Sequence, residues 1–185
     1  MIDINLSKLE AAENELKGES DRAAAIVGAS IIESQLEDLL TKAMIPDTQT
    51  TSLFDGHGPL STLSAKTSII ESVGFLPKDV CTDLHLLRKI RNEFAHQHEN
   101  LSFESPKISA WISTFGCLRS VRDQLQEYKT NPENWAVVQE KGWNKPRRQF
   151  ETAVSWLSIY VASRLKSLTS AKRLPDEYGQ WKNET

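Results

Sequence analysis

Cysteine is nearly absent from this chain: Cys81 and Cys117 are its only two. They form no CxxC pair, show no metal-ligand spacing and sit among apolar neighbours. That excludes a disulfide framework and points to two reduced core thiols. Glycine and proline are also sparse, at 8 and 7 residues, and they fall between stretches of helical periodicity. No apolar–polar alternation lasts more than a few residues, which excludes a β-sandwich or barrel. The longest apolar run, "AAAIVGASII", is too short to span a bilayer. The opening "MIDINLSKLEAAENELKG" carries acids early and no apolar region of the signal-peptide kind. A soluble, cytoplasmic protein with no membrane partner is the expectation. Positive charge is in deficit too, with a net charge of −3 and a pI near 5.8. A surface that rests on nucleic-acid phosphates is usually basic, so non-specific DNA binding is disfavoured.

What is present is helix. At 185 residues, 39% hydrophobic and 25% charged, the chain is long enough for a real core and is expected to form a single helical domain over 1–185. A sparse, peripheral helix is expected over about Leu6 to Lys17, closed by Gly18. The next runs from about Asp21 to Ala43, with Ser20 as N-cap and Asp21 placed for the helix dipole. "IPDTQTTSLFDGHGP" reads as a loop with two anchors, Leu53 and Phe54. Further helices are expected over Leu60 to Ser72, from Pro77 to His96, and over Pro106 to Tyr128. Residues 129–145 read as a loop or insert. The last long helix, 146–170, opens at Pro146 and repeats Phe150, Val154, Leu157, Val161 and Leu165. A polar tail, 171–185, follows. The fold class is all-α, a compact bundle of about six helices.

One residue disturbs this pattern. At 100° per residue, Val80, Leu84, Leu87 and Phe94 share a side of their helix, and Arg91 lies among them. His85, Arg88, Asn92 and His96 form the neighbouring polar stripe. An unpaired buried charge costs several kcal/mol, so Arg91 needs an acid, a wet cleft or an interface. Glu33 lies in the middle of an apolar face formed by Ile26, Ala29, Leu36 and Leu40. A Glu33–Arg91 ion pair across the two helices is therefore expected. Glu19, Asp21 and Arg22 are expected to cap their helix or to bridge to the "FDGHGP" loop.

The segments "GESDRAAAIVGASIIESQLEDLL", "LFDGHGPLSTLSAKTSIIESVGFL" and "DLHLLRKIRNEFAH", followed by "LSF", have an order and spacing that resemble the mannitol operon repressor family. The resemblance covers roughly Glu19 to Phe103, with an echo in "RRQFETAVSWLSIYVASRL". It departs from the family pattern at Ala23, where glycine is expected, and around Asn131 to Asn144. It implies an all-helical transcriptional regulator of a sugar-alcohol operon. The best helix-turn-helix candidate, Leu60 to Ile90 with Gly74 at the turn, offers no DNA-reading helix. Its second helix opens "PKDVCTD" and presents Asp79 and Asp83 where phosphates would lie. Action through a protein partner or self-association is expected.

The Arg-Asn-x-x-x-His form of "RNEFAH" also resembles the HEPN superfamily of helical, often metal-independent ribonucleases. That resemblance implies catalytic Arg91 and His96, an orienting Asn92, and RNA as partner. Five residues place Arg91 and His96 about 140° apart on a helix, off a common face. A structural Arg91 is therefore ranked above a catalytic one, and the chain is expected not to be an enzyme. A third alternative is a non-catalytic interaction module. Lys141, Lys145, Arg147 and Arg148, near Trp135 and Trp143, form a candidate partner or nucleic-acid patch. His57, His85, His96 and His98 make no HExxH and no Cys/His quartet, so neither metal nor other cofactor is expected.

Overall fold

The computed structural model describes residues 16, 18–45, 48–97 and 101–169. Among them the secondary structure is entirely helical. The helices are α1 (Asp21–Ala43), α2 (Thr48–Ser52), α3 (Leu63–Ser72), α4 (Lys78–His96), α5 (Pro106–Ile112), α6 (Arg119–Tyr128), α7 (Pro132–Lys141) and α8 (Pro146–Ser167), with a 3-10 turn at Gly116–Leu118. None is long and apolar enough to cross a membrane. The helix expected over Leu6 to Lys17 and the tail 171–185 lie outside the described residues, apart from Leu16, which is buried.

α1 is the central rod. Ser20 caps it by accepting from the Ala23 amide. Its first half is lined by small residues, Ala24, Ala25, Gly28 and Ala29, all buried. A Cβ at Gly28 would stand 3.0 Å from Val154 Cγ2 and 3.3 Å from Phe150 Cε1. The missing side chain is what lets α8 close on α1. The other flanks of α1 receive α4 and α3. Phe94, Phe103 and Phe150 form a continuous aromatic row, with centroids 4.9 Å and 4.7 Å apart, joining α4, the segment before α5 and α8.

Gly74 stands just past the end of α3, with a φ of +69° that suits glycine. The Gly74 amide bonds to the Glu71 carbonyl and the Phe75 amide to the Ile70 carbonyl, which closes the helix and turns the chain into α4. On α4, Leu84, Leu87, Ile90 and Phe94 are buried. That leaves the His85–Arg88–Asn92–His96 stripe on the outer side.

Besides the short α2, which lies in the segment expected as a loop, two expectations about elements are corrected. Pro106 to Tyr128 is not one helix: it breaks between Ile112 and Arg119. The cause is Asp83, which is buried on α4. Its Oδ1 accepts from the Gly116 amide and its Oδ2 from the Cys117 amide, both at 2.8 Å. A buried carboxylate that needs donors fixes the turn there. The insert 129–145 contains α7. Asn131 caps it through the Glu133 and Asn134 amides, and Pro132 sits in its first turn. Five of the about six expected helices fall among the described residues; these two departures, with the short α2, bring the α-helices there to eight.

Asp83→Ala should lower stability by about 2–4 kcal/mol, because two buried amides lose a charged acceptor. Urea unfolding measures this, and a loss near that of the exposed Asp79→Ala would show that the turn does not depend on Asp83.

Candidate functional site

The polar stripe of α4 forms one wall of an open groove of about 880 Å³. α5 and the residues after it form the other wall, with Lys107, Trp111 and Thr114. The helical rotation read from the sequence holds here: His85, Arg88, Asn92 and His96 all line this groove. Sequence reasoning missed the rest of the lining. Lys89 Nζ lies 4.1 Å from the Trp111 ring centroid and Lys107 Nζ lies 5.1 Å from it. The indole thus meets cations from two helices. Lys107 also donates to Glu93 Oε1 at 2.7 Å. That ammonium holds the Glu93 carboxyl below its usual pKa, helped by the Gln97 amide and Lys89. The Lys107–Trp111 spacing of four along α5 was the available sequence signal.

Arg91 does not open into this groove. It lines an adjoining cavity of about 450 Å³ with Glu33, Ser61, Thr62, Leu63, Ser64, Arg88 and Asn92. Arg88 and Asn92 lie between the two spaces and line both. Arg91 and His96, the pair that a ribonuclease reading needs together, therefore face different cavities in one chain. Arg91 Nη1 donates to Asn92 Oδ1 at 3.1 Å.

The expected Glu33–Arg91 ion pair is corrected. Glu33 Oε1 lies 3.4 Å from Lys66 Nζ, and Glu37 Oε2 lies 2.9 Å from the same ammonium. Lys66 is the buried cation, 4% exposed, between two carboxylates one turn apart on α1. The rotation of α1 showed correctly that Glu33 faces the packing. It could not show that α3, and not α4, supplies the countercharge.

The basic cluster at the start of α8 also changes character. Arg147 is not a free patch residue. Its Nε donates to Glu151 Oε1 at 2.6 Å, its Nη1 to Asp21 Oδ1 at 2.9 Å and the Glu19 carbonyl at 3.1 Å, and its Nη2 to the Leu16 carbonyl at 2.8 Å. Burial opposes the charge, but the hydrogen bonds that Arg147 donates to Glu151 and Asp21 outweigh it and raise the Arg147 pKa. The guanidinium also lies over the Phe103 ring. Arg148 reaches Glu151 Oε2 at 3.4 Å. Lys141 and Lys145 are exposed, and Lys141 Nζ lies 5.5 Å from the Trp143 centroid. Trp135 is covered instead by Lys129.

The expected bridge from Asp21 and Arg22 to "FDGHGP" is likewise replaced. Asp21 Oδ2 accepts from the Phe103 amide at 2.9 Å, and Arg22 donates to the Gln97 carbonyl. Both tie the start of α1 to the chain that follows α4.

Neither thiol is poised for chemistry. Burial, then Glu71 and Asp79, push Cys81 up to about 11. Burial and the neighbouring Asp83 push Cys117 higher still. Among the described residues no group of His, Cys, Asp or Glu could hold a metal ion.

Comparison with known proteins agrees with this architecture. The family model described as "Mannitol repressor" (MtlR) matches residues 24–169. No curated protein matches the sequence significantly. A solved structure, "X-ray structure of the MtlR-HPr complex from Escherichia coli", shares the fold with a TM-score of 0.63 and 17% identity. The match covers 85% of this chain and 98% of that one.

Arg147→Ala should cost about 2–4 kcal/mol, since it removes one donor from Glu151 and from Asp21 and the side-chain donor to the Leu16 and Glu19 carbonyls. Lys145→Ala, on the surface, should stay within about 0.5 kcal/mol. Thermal melts compare them, and equal midpoints would return Arg147 to a surface role. A thiol reagent at pH 7.5 should modify the native protein far more slowly than the urea-unfolded protein; equal rates would contradict the raised thiol pKa values.

Proposed function

Because the chain belongs to the mannitol repressor family, we propose that it is a transcriptional regulator of that type, working in the cytoplasm through a protein partner, and that HPr is this partner. The match over residues 24–169 contains all of α4 and α5 and hence the whole groove. The observation that carries the choice of a protein over DNA is the nature of α4 where a recognition helix would enter the major groove. Its first turn carries Asp79, and one turn further Asp83 is buried and occupied by the Gly116 and Cys117 amides. Acids repel phosphates, and a buried residue cannot read base edges.

The groove has the composition of a partner surface. A tryptophan meets two lysine ammonium groups in a groove that Arg88 and two imidazoles also line. Binding energy at protein interfaces concentrates on tryptophan and arginine of this kind. HPr is the partner to test first, because the solved neighbour was crystallised with it and shares its fold with this chain over 98% of its own length.

Isothermal titration of the protein with HPr of the same organism tests this. Saturable binding is expected, weakened about tenfold or more by Trp111→Ala, a loss of about 1.4 kcal/mol. The control DNA of the regulated operon should show no sequence-selective mobility shift in the absence of a partner. Absence of HPr binding, or tight selective binding to that DNA, would overturn the proposal.

A further inference from the structure

The cavity beside the groove raises a question of charge. Arg88 and Arg91 are three residues apart on α4, a spacing at which like charges repel, and both line the cavity. Among the described residues no carboxylate pairs with either. Arg91 bonds only to the Asn92 amide oxygen. The Arg88 Nε is buried and has no acceptor. A buried donor left unmatched is costly, and a charged one more so. The other arginines that the fold uses are treated differently. Arg147 has two carboxylates, and Arg22, Arg122 and Arg164 each have a backbone carbonyl.

The rest of the lining is rich in donors. Ser61, Thr62 and Ser64 bring hydroxyls from the first turn of α3 and the two residues before it. Asn92 has given its oxygen to Arg91 and keeps its NH₂ group. Glu33, the one carboxylate in the lining, is already drawn to Lys66. Two guanidinium forks and three hydroxyls exceed what the two oxygens of a carboxylate can accept. A phosphate monoester, with three terminal oxygens and up to two charges, matches them better. The space of about 450 Å³ is larger than one phosphate group needs. Glu33 is the acceptor in this lining that hydroxyls on the body of such a ligand would meet.

We propose that this cavity binds the phosphate monoester of a small, hydroxyl-rich molecule of sugar size, with Arg88 and Arg91 on the phosphate. The site shares Arg88 and Asn92 with the groove, but its test stays distinct from that of the partner reading, which turns on Trp111, a residue that does not line this cavity.

The probes are glucose 6-phosphate, glucose, inorganic phosphate and phosphoserine, each titrated calorimetrically into the full chain. Glucose 6-phosphate should bind saturably and at least tenfold tighter than the other three. Arg88→Gln and Arg91→Gln should each weaken it at least tenfold, while Arg119→Gln, on exposed α6, should leave it unchanged. If either glutamine variant fails to fold by circular dichroism, Arg88→Lys and Arg91→Lys replace it. These keep the charge, lose the fork and should still weaken binding at least threefold. Absence of saturable binding, or binding that ignores both arginines, would overturn the site. Equal affinity for glucose 6-phosphate, phosphoserine and inorganic phosphate would overturn the hydroxyl-rich body.

Discussion

The ammonium of Lys66 decides the charge pattern on which the candidate site depends. It sits buried where α3 meets α1, between Glu33 and Glu37. Burying an ammonium is costly unless carboxylates offset its loss of water. Two do so, and one of them is the residue that would otherwise be the natural partner of Arg91. With Glu33 drawn to α3, Arg88 and Arg91 in the cavity beside α4 have no paired carboxylate among the described residues. In a protein of net charge −3, this produces a local cationic face.

The rest of the fold presents that face to solvent. Gly28 brings α8 onto α1, the Phe94–Phe103–Phe150 row anchors α4 to both, and Asp83 fixes the turn that leads into α6. α4 is thus gripped along its apolar side and at its buried acid, and its polar stripe faces two adjoining spaces. Arg88 and Asn92 belong to both. A partner in the groove and a small anion in the cavity would therefore touch the same two side chains, which is a physical basis for one to influence the other.

The sequence made the helices legible because their signals are local. Ser20, Pro77, Pro106 and Pro146 each stand at or beside a helix start, and Gly74 stands just past a helix end. The stripe from His85 to His96 was legible for the same reason, since rotation along one helix needs no knowledge of its neighbours. The family was legible from several segments in order. α7 was legible in principle from Asn131-Pro132, a cap followed by a first-turn proline. The break at Gly116 was not, because it is imposed by Asp83, 33 residues away. Charge partners were not legible either. Glu33 and Arg91 were each placed on the correct side of their helix, yet the countercharge came from Lys66 on a third element. Arg147 looked like surface by composition and proved to be a clasp, since its acceptors come from residues 16 to 21 and from Glu151.

Double-mutant cycles in urea unfolding test the assignment of Glu33 most directly. One cycle combines Glu33→Gln with Lys66→Met, the other Glu33→Gln with Arg91→Gln. A coupling of about 1–3 kcal/mol is predicted for Glu33 with Lys66, and one within about 0.5 kcal/mol for Glu33 with Arg91. The reverse order would mean that α4, and not α3, holds Glu33, and the uncompensated cationic face would no longer stand.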